Sequence, residues 1–163
     1  MELDRFDLAI LDALQRDCRV AAESLGQALG LSATAVQRRI RRLKAEGAIE
    51  AEVALLAPGV MAAQVTVIVE LAFKQGLTAA IDAFKRQALA QPEIQQCFYV
   101  AGEYDFVLVV VSTSMADYER FTRRVFFPND NIARFRSTVV MDAVKRGWQL
   151  PLGPLGPPGS PPA

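Results

Sequence analysis

The sequence predicts an α+β chain: an N-terminal winged helix-turn-helix followed by a ferredoxin-like β-α-β-β-α-β domain. Three observations carry this expectation. Between Asp4 and Glu46, apolar residues recur at helical spacing and are interrupted only by turn residues. From Val65 onward, period-two strand patterns and amphipathic helices alternate in the order β-α-β-β-α-β. Between the two regions stands Pro58-Gly59, a turn signal that marks a boundary. The expected organisation is a helix-turn-helix domain at 1–50, a linker strand and turn at 51–63, the ferredoxin-like domain at 64–146, and a Pro/Gly-rich tail at 147–163.

Asp4 is placed to cap a first helix whose Phe6, Ile10, Ala13 and Leu14 share one stripe. A second helix covers about 21–29, with Leu25 and Leu29 inward. Gly30 follows where a left-handed residue is wanted. Ser32 then caps a third helix that runs to about Glu46 and ends at Gly47. The segment from Ile49 to Ala57 reads as extended. Next, Val65, Val67, Val69, Leu71 and Phe73 alternate with Thr66, Ile68, Glu70 and Ala72 as a strand. Leu77–Ala90 is an amphipathic helix carrying Ile81, Phe84 and Leu89. Strands at Ile94–Ala101 and Asp105–Ser112 meet at a turn around Gly102. A helix at Met115–Phe127 and a last strand at Phe135–Lys145 complete the order. Phe106–Val111 is apolar at every position, so both faces of that strand need cover. With both helices on one sheet face, packing of the other face against a second copy supplies it.

Composition excludes several classes. The chain has 163 residues, 52% of them hydrophobic, and balances 18 basic against 18 acidic residues. A neutral chain is not a general polyanion binder, so any nucleic-acid affinity must come from a local cluster. There is no histidine. That removes most zinc sites, Ser-His-Asp and Cys-His arrangements, and histidine acid catalysis. No metal, cofactor or catalytic residue is expected. Cys18 and Cys97 lack CxxC spacing and read as buried thiols. No secretory leader is visible at the N-terminus, and no apolar run is long enough to span a bilayer, so a cytoplasmic location is expected. The tail cannot form a core and should be extended or disordered, apart from Trp148 and Leu150.

The third helix carries the chemistry. Val36, Ile40 and Leu43 form its apolar stripe, and Thr34, Arg38, Arg41 and Ala45 fall opposite, flanked by Gln37 and Arg42. Arg39 and Lys44 sit nearer the apolar edge. Five basic residues lie between Arg38 and Lys44 with no acid among them. Such a helix suits the major groove: arginine pairs with guanine edges or phosphates, and glutamine reads adenine. Ser32, Thr34 and the amides at the helix start can hold a phosphate. The candidate DNA contacts are Ser32, Thr34, Gln37, Arg38, Arg41 and Arg42, and the expected partner is double-stranded DNA. Charge runs are often plain solvated surface; the spacing Leu25…Gly30-Leu31-Ser32…Val36…Ile40 is what favours the helix-turn-helix reading.

These residues also carry a resemblance. The run Gly30-Leu31-Ser32-Ala33-Thr34-Ala35-Val36-Gln37-Arg38-Arg39-Ile40-Arg41-Arg42-Leu43, with Arg19…Glu23-Ser24-Leu25 before it, resembles the leucine-responsive/asparagine-regulator (Lrp/AsnC) family of transcription factors. Val100-Ala101-Gly102-Glu103-Tyr104-Asp105-Phe106, Tyr118-Glu119-Arg120-Phe121 and Ser137-Thr138-Val139-Val140-Met141 are similar to that family's amino-acid-sensing domain. The resemblance implies a sequence-specific regulator modulated by a small effector such as an amino acid, working as homodimers that assemble into octamers. It places the effector at Gly102, Tyr104 and Asp105, with Thr138, Val139 and Val140. Glycine lets a ligand approach the backbone, and Asp105 could accept from an ammonium group. The plainer alternative is a β-turn in which Asp105 bonds its own backbone.

Departures and rivals are equally legible. Ala21-Ala22 stands where a capping Ser or Thr is common, a local cost of ~1 kcal/mol. Glu50-Ala51-Glu52-Val53 is acidic and lacks the family's glycine-aromatic pair. Sirohaem decarboxylases resemble the same two-part architecture but rely on histidines that this chain lacks. An architectural protein that compacts DNA without switching is the other rival, and neutral charge argues against it.

Overall fold

The computed structural model describes residues 1–57, 60, 64–74 and 78–152. It divides into two compact units, residues 1–55 together with the segment from 146, and residues 56–145.

In the first unit, α1 (Arg5–Leu14), α2 (Ala22–Leu29) and α3 (Ala33–Ala45) enclose a core of Ile10, Leu25, Val36 and Leu43. Asp4 caps α1 in a reciprocal box with Asp7, each side chain accepting from the other's amide. Ala21 gives α2 no side-chain cap, as expected from its chemistry. Gly30 takes φ 67° at the end of α2. Gly26 is required for a different reason: a Cβ there would lie 2.5 Å from the Leu31 carbonyl oxygen. That close approach lets the Leu31 amide donate to Gly26 O at 2.9 Å and folds the turn tightly. Ser32 Oγ accepts from the Ala35 amide at 3.2 Å and starts α3, and Gly47, at φ 76°, follows its end.

Three expectations in this unit need correction. Phe6 is not in the core cluster; its ring carries the guanidinium groups of Arg5 and Arg39, 4.7 and 5.4 Å from its centroid. Asp7 takes the buried place beside it. Cys18 is exposed, because it falls in the turn after α1 rather than on a packed face. Residues 50–57, read as extended, pair with no strand among the described residues. The described part of the tail adds one contact. Gln15 Oε1 accepts from the Leu150 amide and its Nε2 donates to Leu150 O, both at 2.9 Å. The Trp148 and Leu150 side chains themselves are exposed. Most of the proline-rich stretch lies outside the described residues.

The second unit runs β1 (Val65–Phe73), α4 (Thr78–Leu89), β2 (Ile94–Tyr99), β3 (Phe106–Ser112), α5 (Met115–Val125) and β4 (Ile132–Val139). The sheet is antiparallel in the order β2-β3-β1-β4, the ferredoxin-like order. Val67, Val69 and Leu71 pair with Val110, Leu108 and Phe106, and this face packs on Ile81, Phe84, Phe121 and Val125. Phe84 and Phe106 anchor the layer with centroids 4.7 Å apart. The opposite face, with Ile68, Val107, Val109, Val111 and Phe98, carries no helix among the described residues of this unit. Ile68 is 38% and Phe98 49% exposed.

Boundaries and two side chains differ from expectation here. β4 starts at Ile132 and ends at Val139, because its partner β1 begins at Val65; the Val140 amide closes the ladder on Thr66 O. Leu89 is exposed and Ala88 buried: the inward row is Ile81-Phe84-Ala88, and Leu89 is rotated off it. Leu77 lies outside the described residues. Cys97 is exposed because β2 is an edge strand, although its side of the strand faces the helices.

Candidate functional site

α3 presents three distinct faces. Val36 and Leu43 are fully buried and Ile40 is half-buried against the core. Along one flank, Arg39 and Arg42, about 60° apart on a helical wheel, converge on Asp7 of α1. Arg39 Nη1 donates to Asp7 Oδ1 at 2.8 Å and to Asp4 Oδ2 at 2.7 Å. Arg42 Nη2 donates to Asp7 Oδ2 at 2.5 Å. The Asp7 side chain is 1% exposed. Burial alone pushes its carboxyl up, but the hydrogen bonds from Arg39, the Asp4 amide and Arg42 outweigh it and hold the group below the usual carboxylate range. Lys44 Nζ pairs with the Glu52 carboxylate at 2.9 Å.

The third face is what remains. Thr34, Gln37, Arg38 and Arg41 are exposed, with Ser32 at the capped start. Arg38 and Arg41 make no ion pair among the described residues, whereas Arg39, Arg42 and Lys44 are each neutralised by a neighbouring acid. Among the described residues, the basic run is therefore two outward charges, Arg38 and Arg41, on a helix whose other three, Arg42 included, are paired with acids. Sequence spacing groups Arg42 with Arg38 and Arg41. It does not reveal Asp7, an acid on an otherwise inward stripe, as their sorter.

The loop between β2 and β3 is a second feature. Asp105 Oδ2 accepts from the Phe73 amide at 2.7 Å, and the Asp105 amide donates to Leu71 O at 2.8 Å. Its carbonyl accepts from the Val100 amide at 2.9 Å. Asp105 thus ties the loop to β1 through its carboxylate and amide, and its carbonyl closes the loop on Val100. Gly102 is exposed, with open space where a Cβ would sit. Tyr104 lies beneath the guanidinium groups of Arg134 and Arg136, 5.2 and 5.4 Å from its ring centroid. These two are held in turn by Glu103 and Glu70. Neither arginine is suggested by the sequence reading, which starts the last strand at Phe135 and so leaves Arg134 outside it; with β4 starting at Ile132, Arg134 and Arg136 fall on one side of the strand.

The two halves of the expected effector set do not meet within one chain. Gly102, Tyr104 and Asp105 lie at the Leu71–Phe73 end of β1, whereas Thr138 and Val139 pair with Ile68 and Val67 and Val140 bonds Thr66. Three residue steps along β1 take Leu71 to Ile68, opposite Thr138, roughly 10 Å, and five take it to Thr66, bonded by Val140, roughly 17 Å. A groove between α5 and β4, lined by Met115, Tyr118, Glu119, Thr122 and Phe135, was not anticipated; the sequence marks those residues only as an amphipathic helix and a strand.

Comparison with known proteins follows this division. Residues 3–44 match the AsnC-type helix-turn-helix domain, and residues 66–150 match the Lrp/AsnC ligand binding domain. A helix-turn-helix-type transcriptional regulator of Sinorhizobium fredii is 41% identical over 152 residues, covering 93% of this chain and 90% of the relative. The crystal structure of an AsnC family transcriptional regulator from Agrobacterium tumefaciens has TM-score 0.84 at 31% identity, covering 92% of this chain and 97% of that one. That of a Neisseria meningitidis transcriptional regulator in complex with L-Met has TM-score 0.83 at 25% identity, covering 93% and 97%. A helix-turn-helix domain and a β-α-β-β-α-β ligand-binding domain are thus matched in order and over nearly the whole chain, and the protein belongs to the Lrp/AsnC family of transcriptional regulators.

Proposed function

We propose that the chain regulates transcription by laying α3 in the major groove, with Arg38 and Arg41 as its principal base or phosphate contacts. The pairing of every other α3 cation with an acid is the observation that carries this reading. Gln37 and Thr34 flank them, and Ser32 with the first amides of α3 takes a phosphate. Arg42, grouped with them by spacing, is set apart because Asp7 holds it. The bare sheet face, centred on Ile68, Val107, Val109 and Phe98, joins two copies into a homodimer, and dimers assemble further, as octamers in this family. The protein works in the cytoplasm, where its regulatory relatives would meet DNA, and is not an enzyme, a reading that those relatives and the lack of histidine support.

The effector is a small molecule of the amino-acid type, as in the L-Met complex of the Neisseria meningitidis relative. Because the loop at Gly102, Tyr104 and Asp105 and the end of β4 at Thr138, Val139 and Val140 lie at opposite ends of β1, the site takes one set from each of two copies. Its carboxylate-binding and ammonium-binding groups are then completed only in the assembly. Two experiments test the reading. Arg38→Ala and Arg41→Ala each weaken duplex binding by about 1–3 kcal/mol while the assembly stays intact. In a thermal-shift panel of the amino acids, a ligand at about 100 times its dissociation constant stabilises by about 2.7 kcal/mol. A panel without a single shift would remove the amino-acid effector.

A further inference from the structure

The Asp4–Asp7 pair does more than tie α1 to α3. We propose that Asp7 sets the charge that α3 presents to DNA: by holding Arg42 against α1 it withholds a cation from the DNA backbone and leaves contact to Arg38 and Arg41. The inference rests on α3 being the DNA-reading helix, and the controls below separate the two.

The geometry favours Arg42 as the controlled group. Arg39 has two carboxylate partners, Asp4 and Asp7, and lies over the Phe6 ring, so losing Asp7 leaves it anchored. Among the described residues Arg42 has only Asp7, and its side chain is 42% exposed. It lies about 40° around α3 from Arg38, on the border of the outward face. Released, its guanidinium reaches solvent on the side where α3 would meet phosphate. Every cation that contacts phosphate adds affinity for all sequences alike. Withholding one therefore lowers binding to every sequence by the same factor and makes it less dependent on salt. A buried carboxylate with two arginine partners is a stable holder, since breaking the pair leaves an uncompensated charge.

The test measures binding to a mixed-sequence duplex by fluorescence anisotropy across a salt series, with circular dichroism and sedimentation as checks on fold and assembly. Asp7→Asn is expected to bind this duplex more tightly, with the slope of log K against log salt steeper by about 0.9 per helix. The double variant Asp7→Asn/Arg42→Gln is expected to return the slope to the parent value. Arg41→Gln serves as the control and is expected to make the slope shallower. A folded Asp7→Asn with the parent slope overturns the proposal. So does a double variant that keeps the steeper slope, because the gain would then come from the lost carboxylate charge alone. If Asp7→Asn fails to fold, Arg42→Gln decides: the parent slope supports a withheld cation, and a fall of about 0.9 overturns it. Failure of both variants to fold assigns the pair to stability alone, which also overturns the proposal. An Arg41→Gln variant with an unchanged slope would instead remove α3 as the DNA-reading helix, and this inference with it.

Discussion

Asp7 keeps its charge in a side chain almost closed to solvent because three donors meet it there. Its carboxyl is held below the ordinary range, so it binds a proton less readily folded than unfolded. The stability this contributes is present above the unfolded value, near pH 3.9 for aspartate, and is lost as pH falls through the folded one. Asp7→Asn should therefore flatten the acid limb of a stability-against-pH curve below about pH 4, read by urea denaturation. An unchanged acid limb would mean the arginines do not favour the ionised form. Asp7 also shows where single residues escape a sequence reading. Apolar spacing marks the stripe of α1 but passes over an acid within it, and its partners on α3 lie 32 and 35 residues away. The cysteines escaped for a related reason. Free thiols are commonly buried, yet Cys18 and Cys97 stand in a turn and on an edge strand, positions set by tertiary context.

Among elements, the helix-turn-helix was the most legible part. Its caps are chemical and local: Asp4 and Ser32 accept from amides three residues on, and Gly30 and Gly47 take positive φ. The exception is equally local. Ala21 leaves the start of α2 without a side-chain acceptor. Ala21→Ser should stabilise the first unit by ~1 kcal/mol, raising its thermal midpoint; no rise would mean that water already satisfies those amides. Strand ends were less legible, because a strand ends where its partner does. β4 stops with the start of β1 rather than where its own apolar pattern fades. Leu89 likewise matches helical spacing by count but sits a wheel position beyond the Ile81-Phe84-Ala88 row.

For the whole molecule, the alternating burial of β3 follows directly from its sequence. Phe106, Leu108 and Val110 are buried under the helices, and Val107, Val109 and Val111 are left half-open on the other face. A strand apolar on both sides belongs in a covered sheet, and among the described residues of this unit helices cover one side only. Val109→Lys should therefore convert the assembly to a slower-sedimenting species with unchanged circular dichroism, since Val109 lies outside the core cluster. Sedimentation identical to the parent would place the interface elsewhere. Of the proposed effector set, the sequence carries the loop motif, but the separation of its two halves along β1 depends on strand register.

Sorting of the α3 cations underlies the whole account, and duplex binding by the double variant Arg38→Ala/Arg41→Ala tests it most directly. Both side chains are exposed and unpaired among the described residues, so the variant should fold and assemble like the parent. Its affinity for duplex DNA should fall by about 1–3 kcal/mol per arginine removed. Parent-like affinity in a folded, assembled variant would contradict the account, because the remaining α3 cations are those already held by Asp4, Asp7 and Glu52.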